Sequence, residues 1–245
     1  MTFSDSHCHL SGQNTDQLSN VLKQAKAKGV DIMVSMGMSL ESSAENIRLA
    51  RSYNGILAAV GIHPWNAIPP TAEVRKGLAE LVRHKQVVAI GEIGLDYARN
   101  PQTKDIQREL LLYELFLARE TGLPVSIHCR EAYHDMMDIL RHQLGLKGAI
   151  HGFSGDQTEL KDWLAMDFYI SIGRRGFVIN EIPYLQASVR DIPLDRILTE
   201  TDGSGKSGSP ADVVSVVEKL ASIRGVGEKD IAEITTENLK RLLKL

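Results

Sequence analysis

Eight short apolar runs, each ending near Gly, Pro, Asp or His, recur along this 245-residue chain. They read TFSDSHCHL (2–10), DIMVSMGM (31–38), ILAAVGIHP (56–64), VVAIGEIGLD (87–96), PVSIHC (124–129), GAIHGFSG (148–155), FYISIG (168–173) and ILTETD (197–202). Runs this short, rich in Ile, Val and other strand formers, are the pattern of strands buried in a parallel sheet. Helical patterns lie between them. Thr103 is placed to cap a helix through Ile106, Leu110, Leu111, Tyr113 and Leu117, with Gly122 to stop it and Pro124 to open the next strand. The C-terminal TTENLKRLLKL offers a Thr cap, an acidic first turn and a basic last turn, an order that suits the helix dipole.

With strand ends taken at residues 9, 37, 63, 92, 128, 151, 173 and 202, the repeat is about 28 residues, the length of one strand, one helix and two short loops. Eight such units predict an α/β fold, a single (β/α)8 TIM barrel filling residues 1–245 as one domain. A doubly wound open sheet is the alternative, but it usually has fewer strands and needs no active residues on both the first and the eighth. Composition agrees with a soluble globular protein: 43% hydrophobic and 24% charged residues exclude a disordered, collagenous or disulfide-scaffold chain. A formal net charge of −3 excludes a global basic footprint for nucleic acid, leaving room only for a local one. Cys8 and Cys129 form no C-x-x-C pair, the N-terminal MTFSDSHCHL lacks a secretory pattern, and LLLYELFLA (110–118) is too short to span a bilayer. A cytoplasmic protein with no membrane partner is expected; nothing in the sequence sets an oligomeric state.

Residue types that bind metals close these predicted strands: His7 and His9 on the first, His63 on the third, Glu92 on the fourth, then His128, His151 and Asp202 on the fifth, sixth and eighth. In a β/α barrel those ends converge on the face where active sites sit. His7, Cys8 and His9 alternate, so the two imidazoles share a face and the thiol points away. A carboxylate inside the apolar AIGEIGLD is costly unless paired or metal-bound. Six residues (His7, His9, Glu92, His128, His151 and Asp202) form a nitrogen and oxygen ligand set large enough for two divalent ions. Zn, Mn, Mg, Ni and Fe all suit it. Glu200 shares the inward parity of Asp202 one layer deeper, which fits support of a ligand better than ligation, and Asp5 stands in the same relation to His7.

At these residues the chain resembles the TatD family of metal-dependent hydrolases, within the amidohydrolase superfamily. The matching segments are DSHCHL (5–10), VGIHP (60–64), IGEIGLDY (90–97), LPVSIHCREA (123–132), HGFSG (151–155), ETD (200–202) and ITTENLKRLL (234–243), in the family's order. The resemblance implies a barrel and metal-dependent phosphodiester hydrolysis, commonly as a 3′-to-5′ deoxyribonuclease acting on DNA ends. It assigns His7, His9 and Asp202 to one metal, His128 and His151 to the other, and Glu92 as the bridge. Within that scheme Asp202, Glu92 and His63 are the expected catalytic residues. Asp202 would accept a proton from the attacking water, and His63 would orient a substrate oxygen, unless it is simply hydrogen-bonded beside Pro64.

The chain departs from the family after Asp202. Many relatives continue close to G-K-R-N-E-P, whereas here Gly205, Lys206, Ser207, Gly208, Ser209 and Pro210 follow. A guanidinium able to grip phosphate bidentately is thereby lost. Arg130, Arg174 and Arg175 are the candidates to replace it, although for at least one of them a solvated surface charge is the simpler role. GSGKS (203–207) imitates the tail of a phosphate-binding P-loop, but Glu200 stands where that motif needs Gly. Trp65 and Tyr97 follow strands three and four, where they could stack on a base or pack the rim. Two other functions compete with the nuclease reading: a metal-dependent esterase or amidohydrolase, such as a D-aminoacyl-tRNA deacylase, and a non-catalytic metal-bound binding protein.

Overall fold

Every apolar run of the sequence becomes a strand in the computed structural model, which describes all residues except Lys206. The strands are β1 (Phe3–Cys8), β2 (Val30–Ser35), β3 (Ile56–Val60), β4 (Val87–Asp96), β5 (Val125–Arg130), β6 (Gly148–Ile150), β7 (Tyr169–Gly173) and β8 (Ile197–Glu200). The helices are α1 (Thr15–Ala27), α2 (Leu40–Ser52), α3 (Ala72–Leu81), α4 (Lys104–Thr121), α5 (Tyr133–Leu140), α6 (Gln157–Ala165), α7 (Pro183–Asp191), α8 (Val213–Arg224) and α9 (Glu228–Leu243). One sheet takes the strands in chain order from β1 to β8. Strand followed by helix throughout, with parallel pairing of β1–β2, β3–β4, β4–β5 and β7–β8, is the (β/α)8 barrel class.

The chain forms two compact units, residues 1–35 with 150–245, and residues 36–149. In the first, β8 returns beside β1: Asp202 N donates to His7 O at 3.0 Å, His9 N donates to Gly203 O at 2.8 Å, and Cys8 bridges Gly203 in parallel. Side chains reinforce that contact. Asp5 Oδ1 accepts from His7 N at 3.2 Å and Thr201 N at 3.1 Å, and Oδ2 accepts from the Thr201 hydroxyl. Burial raises the Asp5 pKa to about 8 despite these donors. In the second unit, β4 and β5 are the longest paired strands, and their register skips between Ile90 and Ile93, around Glu92.

Several helix ends follow local rules. Asn14 with Gln17, and Ser39 with Ser42, form reciprocal capping boxes, and Asp156 accepts from Thr158 N and Glu159 N. Gly122 ends α4 in the left-handed region at φ 68°. Thr103 precedes α4 but makes no capping bond. Its hydroxyl donates to Asn100 O and accepts from Gln107 Nε2, which keeps it outside the helix's own ladder. The C-terminal helix begins at Glu228, well before the expected cap. Thr235 and Thr236 sit inside it, and Thr235 donates back to Ile231 O at 2.9 Å.

Candidate metal centre

Strand ends differ from expectation at two of the site positions. β3 stops at Val60, so His63 lies beyond it, at the head of a 3-10 turn (Pro64–Asn66). β4 runs on to Asp96, so Glu92 sits inside the strand rather than at its end, and is buried. The apolar character of IGLD after Glu92 extends the strand by another turn of pairing with β5. His9, His151 and Asp202 each follow the last residue of a strand by one or two positions, and His7 and His128 lie within β1 and β5.

In the first unit, His7, His9 and Asp202 offer donor atoms that all lie within 4.8 Å of one another. His9 Nε2 is 3.2 Å from Asp202 Oδ1, and the rings of His7 and His9 meet edge to face at 5.2 Å. His151 joins this group, its ring stacked on that of His7 at 3.9 Å. Burial pushes the Asp202 carboxyl up, but the His9 hydrogen bond and the nearby His151 and His7 outweigh it, holding the group well below the ordinary range. Glu200 stands behind His151, with Oε1 3.1 Å from Nδ1. It also accepts from Gly152 N at 2.8 Å and from the Ser171 hydroxyl at 2.6 Å.

In the second unit, His63, Glu92 and His128 form another set of donor atoms within 4.8 Å. His63 Nδ1 accepts from Trp65 N at 3.0 Å, which places the ring proton on Nε2, facing Glu92 Oε1 at 3.1 Å. His63 is thus a hydrogen-bond donor in this arrangement. His128 lies between two carboxylates: Nδ1 is 2.8 Å from Glu92 Oε1, and Nε2 is 3.0 Å from Asp96 Oδ2. Asp96 is a partner of His128 that sequence reasoning missed. Its signal was present, since 92, 94 and 96 alternate along one strand, but an Asp closing a strand reads as a turn former. Burial raises its pKa, and donation from His128, Arg99 N and Trp65 more than reverses this, so the group stays ionised.

Two sets of nitrogen and oxygen donors, with His151 and His128 each backed by a buried carboxylate, fit divalent cations: the carboxylate fixes the ring's tautomer and turns its other nitrogen toward the donor set. Of the candidate phosphate-binding arginines, Arg174 Nε lies 3.6 Å from Asp212 Oδ2, while Arg130 is exposed at the end of β5 and Arg175 opens the π-helical turn after β7. The P-loop-like segment includes Lys206, which lies outside the described residues; Gly203 within it is held by β1. Cys8 is buried with its thiol toward Val34 O, and Cys129 is half-buried; neither is in a disulfide. Among the described residues, no helix is long and apolar enough to cross a membrane.

Comparison with known proteins agrees with these features. The profile of the family described as TatD related DNase matches residues 4–244. The chain is 35% identical to the uncharacterized metal-dependent hydrolase YabD of Bacillus subtilis, over 98% of both chains. It is 31% identical to the 3′-5′ ssDNA/RNA exonuclease TatD of Shigella flexneri, over 95% of both. Among solved structures, the TatD homolog YJJV of Escherichia coli superimposes with a TM-score of 0.90 at 26% identity, covering 99% of this chain and 98% of that one. With its fold, its donor sets and its full-length match in agreement, this chain belongs to the TatD family of metal-dependent hydrolases.

Proposed function

We propose that this protein hydrolyses phosphodiester bonds at nucleic-acid ends, as a 3′-to-5′ exonuclease, with two divalent ions per chain. The observation that carries the reading is the presence of two three-residue donor sets, His7–His9–Asp202 and His63–Glu92–His128, in a chain of this family. In this reading residues 1–245 act as one domain; His7, His9 and Asp202 would hold one ion, His128 and His151 the other, and Glu92 would serve both. Divalent ions held there would supply Lewis acidity and lower the pKa of a nucleophilic water.

The protein's own groups divide the remaining work. Asp202, kept ionised beside His9, accepts a proton from the attacking water. His63, whose Nε2 proton faces Glu92, turns that proton to orient a substrate oxygen. Asp96 and Glu200 fix the rings of His128 and His151. Arg130, Arg174 and Arg175 are assigned to substrate phosphates; if Arg174 serves there, Arg174→Ala raises KM. Cys8 and Cys129, neither of them in a disulfide, support a cytoplasmic setting.

A second reading, hydrolysis of a carboxylic ester such as an aminoacyl ester, draws support from the uncharged Gly203, Ser204 and Gly205 that follow Asp202. The test is turnover by the metal-reconstituted enzyme on single-stranded DNA, RNA and aminoacyl esters. Nucleotide release from 3′ ends is expected, with Asp202→Ala and His128→Ala each lowering turnover by about 100-fold or more. Turnover of the esters alone would replace the nuclease reading with the second. Unchanged turnover in both variants would overturn the assigned roles.

A further inference from the structure

Asp96 does more than hold His128. Its Oδ2 accepts the Trp65 indole N–H at 2.6 Å while facing His128 Nε2 at 3.0 Å, and its Oδ1 accepts the backbone N–H of Arg99 at 2.9 Å. One buried carboxylate therefore fixes an imidazole of the donor set, an indole and the turn that carries an arginine. The Arg99 guanidinium lies over the Trp65 ring, its carbon 4.0 Å from the centroid. Trp65 is held on further sides by the edge of His63 at 4.7 Å and by Asn100 Nδ2 donating to its carbonyl at 3.1 Å. The indole cannot turn without breaking its bond to Asp96, so the cation above it has a fixed floor.

Arg99 differs from Arg108, Arg196 and Arg174 in its charge balance. Arg108 is paired with Asp135 at 2.7 Å, Arg196 with Asp167 at 2.7 Å and Arg174 with Asp212 at 3.6 Å. Arg99 is exposed and, among the described residues, has no carboxylate partner. Stacking occupies one face of a guanidinium and leaves the N–H donors in its plane directed outward. A cation held this way is prepared for two oxygens of one phosphate, because the stack limits its rotation before the ligand arrives. The Arg lost from the loop after Asp202 thus has a counterpart in a different loop, after β4, which follows the strand that bears Glu92.

We propose that Arg99, stacked on Trp65 and pinned through Asp96, binds a phosphate group of a nucleotide substrate beside the His63–Glu92–His128 donor set. The inference rests on the phosphodiester reading above and names the group that grips its substrate.

The test is calorimetric titration of the metal-loaded enzyme with a nucleoside monophosphate, inorganic phosphate and the unphosphorylated nucleoside, using wild type, Arg99→Ala and Arg99→Lys. Arg99→Ala should weaken monophosphate binding by about tenfold or more, equivalent to about 1.4 kcal/mol. Arg99→Lys should recover only part of this, because an ammonium lacks the two-pronged geometry. Binding of the nucleoside, and metal content, should not change. In turnover of single-stranded DNA, KM should rise with kcat held within about twofold. Equal losses for nucleoside and monophosphate would make Arg99 a contact to the base or a packing residue and overturn the proposal. So would unchanged monophosphate affinity in Arg99→Ala, or a wild type that binds neither phosphate compound. Failure of the phosphodiester reading has a separate signature, a wild type that turns over no phosphodiester while Arg99 still governs phosphate affinity.

Discussion

Glu200 Oε1 lies 3.1 Å from His151 Nδ1, and the same carboxylate accepts from Gly152 N and the Ser171 hydroxyl. Three donors from β7, β8's neighbour, and the end of β6 thus converge on one buried acid, which fixes the ring of His151. His128 receives the same treatment from Asp96 in the other unit, with a different strand and a different acid. A carboxylate behind a ligating imidazole raises its basicity and fixes its angle, and its loss costs about 10–100-fold in metal affinity. Glu200→Gln, which keeps the shape and removes the charge, should weaken metal binding by that factor with the fold retained. Competition against a chromophoric chelator measures it, and affinity equal to wild type would show that Glu200 does not orient His151.

Glu114 gives a stability prediction independent of any metal. It is buried on α4, with Oε1 accepting from Ile62 N at 2.7 Å. Burial drives its pKa well above the ordinary value, against the smaller pull of that backbone bond. In the unfolded chain a glutamate titrates near about 4.3. Folding therefore favours the protonated form, and its contribution is complete below that pH and lost as pH rises through the raised folded pKa. Across this window the wild type should lose stability relative to Glu114→Gln by up to about 1.4 kcal/mol per pH unit. Urea unfolding of both proteins at several pH values checks this; parallel curves would show that Glu114 is ionised in the fold.

Metal removal should be visible in melting as well as in activity. A ligand that binds only the folded chain stabilises it by about 2.7 kcal/mol at one hundred times its dissociation constant. For a chain of this length that is roughly 5–10 °C in Tm. Chelation should lower Tm by such an amount, re-addition should restore it, and His9→Ala should shrink the shift, because His9 supplies one of three donors in its set. A Tm indifferent to chelation would remove the case for tightly held ions.

The strands were legible because burial on both faces writes itself as an unbroken apolar run; VVAIGEIGLD is β4 residue for residue. His7, His9, His151 and Asp202 stood out in the sequence because polar residues break such runs near their ends. Glu92 stood out as an acid inside an apolar run, but it was placed at a strand end because the partners that make it tolerable in mid-strand, His63 and His128, are tens of residues away. The alternation of 92, 94 and 96 hinted at Asp96 without showing its partners, and Arg99 left no trace, since their roles come from tertiary contacts with Trp65 and His128. Glu114 and Gln107 did leave a trace, as polar residues on the buried face of α4 among Leu110, Leu111 and Leu115. Thr235 misled, because a threonine bonded back to Ile231 O resembles a cap in sequence.

Gly94 shows how closely the site depends on backbone geometry. It lies between Glu92 and Asp96, pairs with His128, and has φ +147°, a conformation L side chains rarely adopt. A Cβ added there would collide with the carbonyl oxygen of His128, so the residue that separates the two acids must also let β5 come within pairing distance. Gly94→Ala forces either the strained backbone to persist, at about 1–3 kcal/mol, or β4 to move away from β5. Movement would pull Glu92 and Asp96 away from the two nitrogens of His128. The substitution should therefore lower both unfolding stability and metal affinity, whereas Gly145→Ala, also at positive φ but with nothing near its Cβ, should lower stability alone. Denaturant unfolding and metal titration on both variants separate the cases, and an intact metal affinity in Gly94→Ala would mean that the β4–β5 approach is not what holds His128 in place.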